Sequence, residues 1–298
     1  MDVVNPVVRR WQQDAAADPD EFWARAAEQL HWFRRWDTAF VWEPPTFRWF
    51  VGGQTNIAYN CLDLQVARGR GDHPALIGLN ERGERRVFSY AKLLSGVEEI
   101  AAALRGLGVR RGDRVAIYMP TMPETIMAML ATARIGAIHL VVFAGFGARA
   151  LAERMEIAGA RLLLTADVTF RKGREVDLWA IARDALNYPG SAVERVVVLA
   201  RSGNRPSLQP DRDVTWDEFL AGGAGQSADH EVMEANDPVY VLATSGTTAK
   251  PKLVVHTHGG YQVGIHSMGA WCLGLKADDV WWPTADIGWA VGHSYLAY

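Results

Sequence analysis

Between residues 73 and 283 short apolar runs alternate with amphipathic stretches of helical period, and that alternation leaves few folds open to the chain. Ser89 predicts a helix N-cap, because Leu93, Leu94, Val97, Ile100, Ala101, Leu104 and Leu107 follow at helical spacing before Gly106 or Gly108 ends the run. The pair Thr121 and Glu124 has the spacing of a capping box, with Pro123 in the first turn, which predicts a helix to about residue 135. Further helices are predicted over 148–158, 175–186 and 260–273, and strands over 114–119, 137–143, 161–166, 194–199, 239–243, 253–256 and 280–283. Strands rich in Val, Ile and Leu on both faces and joined by helices indicate right-handed crossovers, hence an α/β fold with a mostly parallel sheet and flanking helices. The polar or glycine-rich stretches 201–213 and 221–229 are expected to be surface loops.

Residues 1–72 read as a separate N-terminal cap, and 73–298 as the α/β unit. The cap combines a short amphipathic helix over 19–30 with an aromatic, proline-containing run, 32–50, that lacks clear periodicity and is expected to form an irregular cover. The chain carries 31 basic and 34 acidic residues, a formal charge of -3, which argues against a nucleic-acid partner. Cys61 and Cys272, its two cysteines, form no CxxC pair, so neither a disulfide framework nor a zinc site is signalled. Without a secretion signal or an apolar span of ~18 residues, the expectation is a cytoplasmic protein with no membrane segment.

Chemistry concentrates in the stretch Thr244-Ser245-Gly246-Thr247-Thr248-Ala249-Lys250-Pro251-Lys252, directly after an apolar strand. The hydroxyls of Thr244, Ser245, Thr247 and Thr248 can donate to phosphate oxygens, Gly246 lets the backbone approach closely, and Lys250 and Lys252 supply positive charge. The P-loop pattern GxxxxGK[ST] is absent, since Pro251 stands five residues after Gly246. Three cations in four residues, Arg171-Lys172-Gly173-Arg174, form a second candidate anion clamp. His256, His258 and His293 have no third ligand at useful spacing, so turn and pocket-lining roles are expected for them rather than a metal site.

The order of residues in the 244–252 stretch resembles the phosphate-binding signature of the adenylate-forming superfamily. The closest likeness is to the AMP-forming acetyl- and propionyl-CoA synthetases, and it extends along the whole chain. It rests on Phe22-Trp23, 49–53, Asn56, 59–63, 113–120, 142–146, 164–167, 255–261 and 284–289. The resemblance implies the N-terminal part of an enzyme that joins a small carboxylate to coenzyme A, with ATP, Mg²⁺ and coenzyme A as co-substrates. It implies that the 244–252 loop holds the ATP phosphates. It further implies that Phe143, Gly145, Arg171, Lys172, Gly173, Arg174 and Val291 contact coenzyme A, and that Trp289, Ala290, Val291 and Gly292 line the acyl pocket. A wall of Ala290 and Val291 suits a short chain such as acetate or propionate.

Two departures from the family pattern stand in the phosphate loop, Ala249 and Leu253 where glycines are usual; a positive φ at Ala249 would cost about 1 kcal/mol. The pattern stops at Tyr298 in mid-element. The expectation is therefore a truncated adenylation domain whose C-terminal half, with its mobile lysine-bearing domain, lies elsewhere, and a 298-residue chain that does not adenylate alone. A non-catalytic CoA- or nucleotide-binding remnant, a half of a split enzyme pairing with the missing C-terminal half, a homo-oligomer, and a sibling acetoacetyl- or medium-chain acyl-CoA ligase are the alternatives.

Overall fold

The computed structural model describes residues 5–204, 206–244 and 251–298. Its centre is a seven-stranded sheet in the order Asp213–Thr215, Arg195–Leu199, Leu162–Ala166, Arg114–Tyr118, Ile138–Val141, Pro238–Thr244, Lys252–Thr257. The first six strands are parallel, and the last closes one edge antiparallel to its neighbour. Every residue of Leu162–Ala166 is buried, as is the run from Val115 to Tyr118, which is why these strands are apolar on both faces.

Helices cover both faces. Tyr90–Gly106 and Pro123–Arg134 pack against one side, and Ala148–Ala158 and Leu178–Leu186 against the other. Ser89 caps the first of these by accepting from Lys92 N at 3.3 Å, as its position predicts. At Thr121 the expectation fails: the helix starts at Pro123 behind Met122, with no side-chain cap. Thr121 Oγ1 instead accepts from Ile287 N at 3.3 Å and contacts Asp286 Oδ2 at 3.4 Å, while Glu124 pairs with Arg86. Partners from distant segments displace the local cap, whereas a capping box does form at Thr215 and Glu218, in the short helix Trp216–Ala221.

Three further expectations are corrected. The aromatic run is not irregular. Thr38–Glu43 and Thr46–Val51 form a hairpin on which Phe40 pairs with Trp49 and Trp42 with Phe47, ring centroids 4.4 and 6.3 Å apart. Aromatics on both faces hid the alternation, and cross-strand ring contacts supply the pairing energy. The predicted helix from residue 175 begins at Leu178 with Asp177 as N-cap, because Val168–Arg171 and Arg174–Asp177 first form a two-stranded ribbon. Residues 280–283 form no strand; Val280 and Trp282 are about four-fifths exposed, and the sheet edge is already taken by Lys252–Thr257. The helix Pro6–Ala17, capped by Asn5, was not anticipated.

The N-terminal elements are seated by a buried polar hub. Asn56 Nδ2 donates to the carbonyls of Ala133, Arg134 and Glu231 at 3.2, 3.1 and 3.0 Å, while its Oδ1 caps the next helix through Ala58 N and Tyr59 N. Beside it the guanidinium of Arg134, only 3% exposed, binds Asp63 at 2.6 Å, Glu98 at 3.2 Å and the Ala228 carbonyl at 2.7 Å. Asn56→Asp keeps the cap acceptor but strands three carbonyls against a carboxylate. It is expected to cost about 3 kcal/mol in urea unfolding, and an unchanged midpoint would mean that the hub does not seat the N-terminal elements.

Candidate functional site

The strand Ile138–Val141 delivers Phe143 and Phe146 to the end of the sheet, where Tyr118 Oη donates to the Phe146 carbonyl at 2.6 Å and fixes the turn. The two rings meet edge to face at 5.4 Å, and Trp289 contacts both, at 6.1 and 6.5 Å. Gly288 lies so close to the backbone of Phe143 that a Cβ there would come within 2.8 Å of the Phe143 Cα. The segments read separately as coenzyme A and acyl contacts thus form one continuous patch.

Guanidinium groups flank that patch on either side. Arg171 lies over the Phe143 ring at 5.1 Å, and Arg154 over the Phe146 ring at 4.4 Å. Cation–π contacts of this kind contribute about 0.5–2 kcal/mol each, depending on desolvation. Gly145 is required here, because a side chain would collide with Arg171 and Phe143. A small, partly open cavity of about 30 Å³ lies among Phe143, Phe146, Arg154, Leu242, Ala243 and Trp289, against the strand that leads into Thr244.

Arg171 and Arg174 face each other across the ribbon, joined by a two-residue turn in which Lys172 has φ +51° and Gly173 φ +74°. A double positive φ is the type I′ pattern, easy for glycine and strained for lysine. Like charges directly opposite each other also repel. None of Arg171, Lys172 and Arg174 forms an ion pair among the described residues, so the turn presents three exposed cations. Electrostatically it is arranged for an anion from outside.

Thr244 and Lys252 are register partners at the open end of the edge hairpin, and Thr244 Oγ1 donates to the Lys252 carbonyl at 3.4 Å. Ser245, Gly246, Thr247, Thr248, Ala249 and Lys250, expected from the sequence to hold phosphate, lie outside the described residues. Trp289, Ala290 and Val291 are exposed, while Gly292 is buried against Asp286 and Ile287. Sequence reasoning missed Arg154, which looks like any basic residue of an amphipathic helix; its lack of an i,i+4 acidic partner was the available signal.

The three histidines do not line a pocket together. His258 is buried and its Nδ1 accepts from Ile57 N at 3.2 Å, tying the edge of the sheet to the N-terminal elements. His293 is buried beneath the Trp289 segment, its Nδ1 donating to the Trp289 carbonyl at 2.9 Å. Burial pushes His258 down to about 3 and His293 to about 4, and it holds His139 well below the ordinary imidazole value.

Two family models match this sequence. Residues 63–298 match the AMP-binding enzyme model, and the chain belongs to that family. Residues 8–61 match the model described as the acetyl-coenzyme A synthetase N-terminus. Among curated relatives, it is 47% identical over 287 residues to the acetyl-coenzyme A synthetase of Rubrobacter xylanophilus, covering 96% of this chain and 44% of that protein. The acetyl-coenzyme A synthetase of Deinococcus radiodurans is 45% identical over 293 residues, with 97% and 44% covered. The 3-hydroxypropionyl-coenzyme A synthetase of Sulfurisphaera tokodaii is 46% identical over 286 residues, with 94% and 43% covered. The chain spans less than half the length of the curated relatives it matches. Among the described residues no helix is long and apolar enough to cross a membrane.

The histidine shifts make stability depend on pH. Imidazoles held below their unfolded value of about 6.5 bind protons more readily in the unfolded chain. Their contribution is therefore complete above that value and is lost as pH falls toward about 4. The urea midpoint is expected to drop between pH 7.5 and pH 5, and His293→Asn to flatten that dependence; a midpoint constant across the interval would contradict the assignment.

Proposed function

We propose that the chain is the nucleotide- and CoA-binding portion of an AMP-forming short-chain acyl-CoA synthetase. In that reaction a carboxylate oxygen attacks the α-phosphorus of ATP and pyrophosphate leaves. The thiol of coenzyme A then displaces AMP to give the thioester. The observation that carries the reading is the contact patch Trp289–Phe143–Arg171, which joins an acyl wall to an anion clamp beside the Thr244–Lys252 hairpin.

In this reading residues 1–72 act as a cap and 73–298 as the first part of the adenylation domain. Thr244, Ser245, Gly246, Thr247, Thr248, Lys250 and Lys252 hold the pyrophosphate end of ATP. Bringing a carboxylate to a polyphosphate joins two anions, and aimed hydroxyls, amides and lysines offset that repulsion. Arg171, Lys172 and Arg174 take the phosphates of coenzyme A, with Phe143 and Gly145 beside its adenine. Trp289, Ala290, Val291 and Gly292 wall the acyl group, and the small Ala290 leaves room for acetate, propionate or a substituted propionate. Magnesium enters with ATP as co-substrate. Among the described residues no three carboxylate, imidazole or thiol groups converge on a metal position, and no step is assigned to the ion.

A second reading has a specific observation behind it. Val255, Val280, Trp282 and Val291 are large apolar residues about half to four-fifths exposed, and exposed apolar surface is where proteins take partners. That surface fits further polypeptide, of the kind that makes up the remaining length of the relatives, or a second copy of the chain.

Calorimetry tests the first reading directly. The 298-residue chain is expected to bind coenzyme A, and Arg171→Ala and Arg174→Ala each to weaken binding about tenfold or more. Absence of binding by the unaltered chain would overturn it. Acyl-dependent ATP–pyrophosphate exchange by this chain alone is expected to be nil, because no catalytic residue is assigned within it.

A further inference from the structure

Under the site lies a stack of imidazole and phenol rings that the proposed chemistry does not use. Tyr240 is at its centre and is fully buried. Its register partner on one side, His139, stacks on it at 5.3 Å and 8°, and its register partner on the other, His256, at 4.3 Å and 13°. His293, from the last segment of the chain, lies against both Tyr240, at 4.4 Å, and His139, at 5.3 Å. Tyr261 closes the edge at 5.0 Å from Tyr240, and Tyr298 Oη meets His139 Nε2 at 2.6 Å.

Each of these four rings stands four residues along the chain from a residue of the candidate site. His139 precedes Phe143 and Tyr240 precedes Thr244, while His256 follows Lys252 and His293 follows Trp289. On a strand four residues span about 13 Å, so His139, Tyr240 and His256 anchor their elements at a similar depth below the site, while His293 lies one helical turn from Trp289. At Trp289 the link is direct, through the His293 Nδ1 hydrogen bond to the Trp289 carbonyl.

The composition of the stack is costly as mere filling. Among the described residues His139 Nδ1, Tyr240 Oη and His293 Nε2 are buried without a hydrogen-bond partner, and each such atom is destabilising where an apolar side chain of similar shape would not be. Leucine or phenylalanine would pack the space without stranding them. Stability alone does not account for these side chains.

We propose that His139, Tyr240, His256 and His293 are positioning residues that set the anion clamp, the phosphate-loop hairpin and the acyl wall relative to one another through one shared ring stack. A ring displaced in one element removes the stacking surface of its neighbours, so the three parts of the site shift together. The functional meaning of that coupling rests on the reading proposed above; the coupling itself does not.

Hydrogen–deuterium exchange on the full chain, read by peptide, tests it. Tyr240→Leu is expected to raise exchange at least tenfold in peptides covering 141–146, 252–257 and 286–292 together. Tyr240→Phe, which keeps the ring and removes only the stranded hydroxyl, is expected to leave all three unchanged. Leu164→Ala, a truncation at the sheet centre, provides a control matched by unfolding midpoint. Exchange that rises only in the substituted strand, or equally in Leu164→Ala, overturns the proposal. If Tyr240→Leu does not fold, His256→Leu at the half-buried end of the stack is read in the same three peptides. Calorimetry on the same proteins separates the two claims. Loss of ATP and coenzyme A affinity by a common factor in Tyr240→Leu supports the functional coupling. A wild-type chain that binds neither ligand defeats the reading of the site while exchange still decides the stack.

Discussion

The side-chain amide of Asn56 holds the N-terminal elements to the sheet, and the rest of the architecture depends on that seat. Its two N–H groups serve carbonyls at the end of the Pro123–Arg134 helix and in the stretch before Pro238–Thr244, segments that no local interaction would bring together. A buried amide of this kind specifies geometry as well as contributing energy, because displacing it leaves several carbonyls dry. Arg134 extends the same logic with charge: a guanidinium almost out of solvent is tolerable only because Asp63, Glu98 and a carbonyl surround it. Through these contacts the edge hairpin, the adjacent helix Pro123–Arg134 and the cap share one frame.

How legible this was from the sequence varied with the range of the interactions. Elements specified by their own periodicity and caps stand where the pattern puts them: the helix Ala148–Ala158 matches its predicted span, and Tyr90–Gly106 starts behind the expected Ser89. The parallel sheet followed from apolar strands joined by helices. Elements specified by distant partners were misread. Thr121 had the local chemistry of a cap and lost it to Asp286 and Ile287, and the hairpin over 38–51 was hidden because its order comes from rings pairing across strands.

The candidate site shows the same division. Residue types and their order pointed to Arg171, Arg174, Phe143 and Trp289 singly, through family likeness. That Phe143 touches Trp289, that Arg171 lies over Phe143, and that Arg154 mirrors it on Phe146 are facts of tertiary packing, of which spacing marked only the missing i,i+4 acid of Arg154. The histidines show the same limit. As letters they suggested turns and pocket walls, and only packing shows that His293 is buried with its Nδ1 donating to the Trp289 carbonyl.

The edge strand Lys252–Thr257 runs against its neighbour in a sheet that is otherwise parallel, and pairing ends at Thr244 and Lys252. Residues added or lost between those two positions leave the ladder itself untouched, and only the phosphate-holding role proposed for that stretch constrains its length. A slip of the ladder itself by one residue is another matter. Alternation in a strand has a period of two, so such a slip would turn His256 outward and bring Val255 under Trp289's support instead. For the ladder, insertions are thus neutral on one side of Lys252 and ruinous on the other, and the boundary between the two regimes is a single hydrogen-bonded pair.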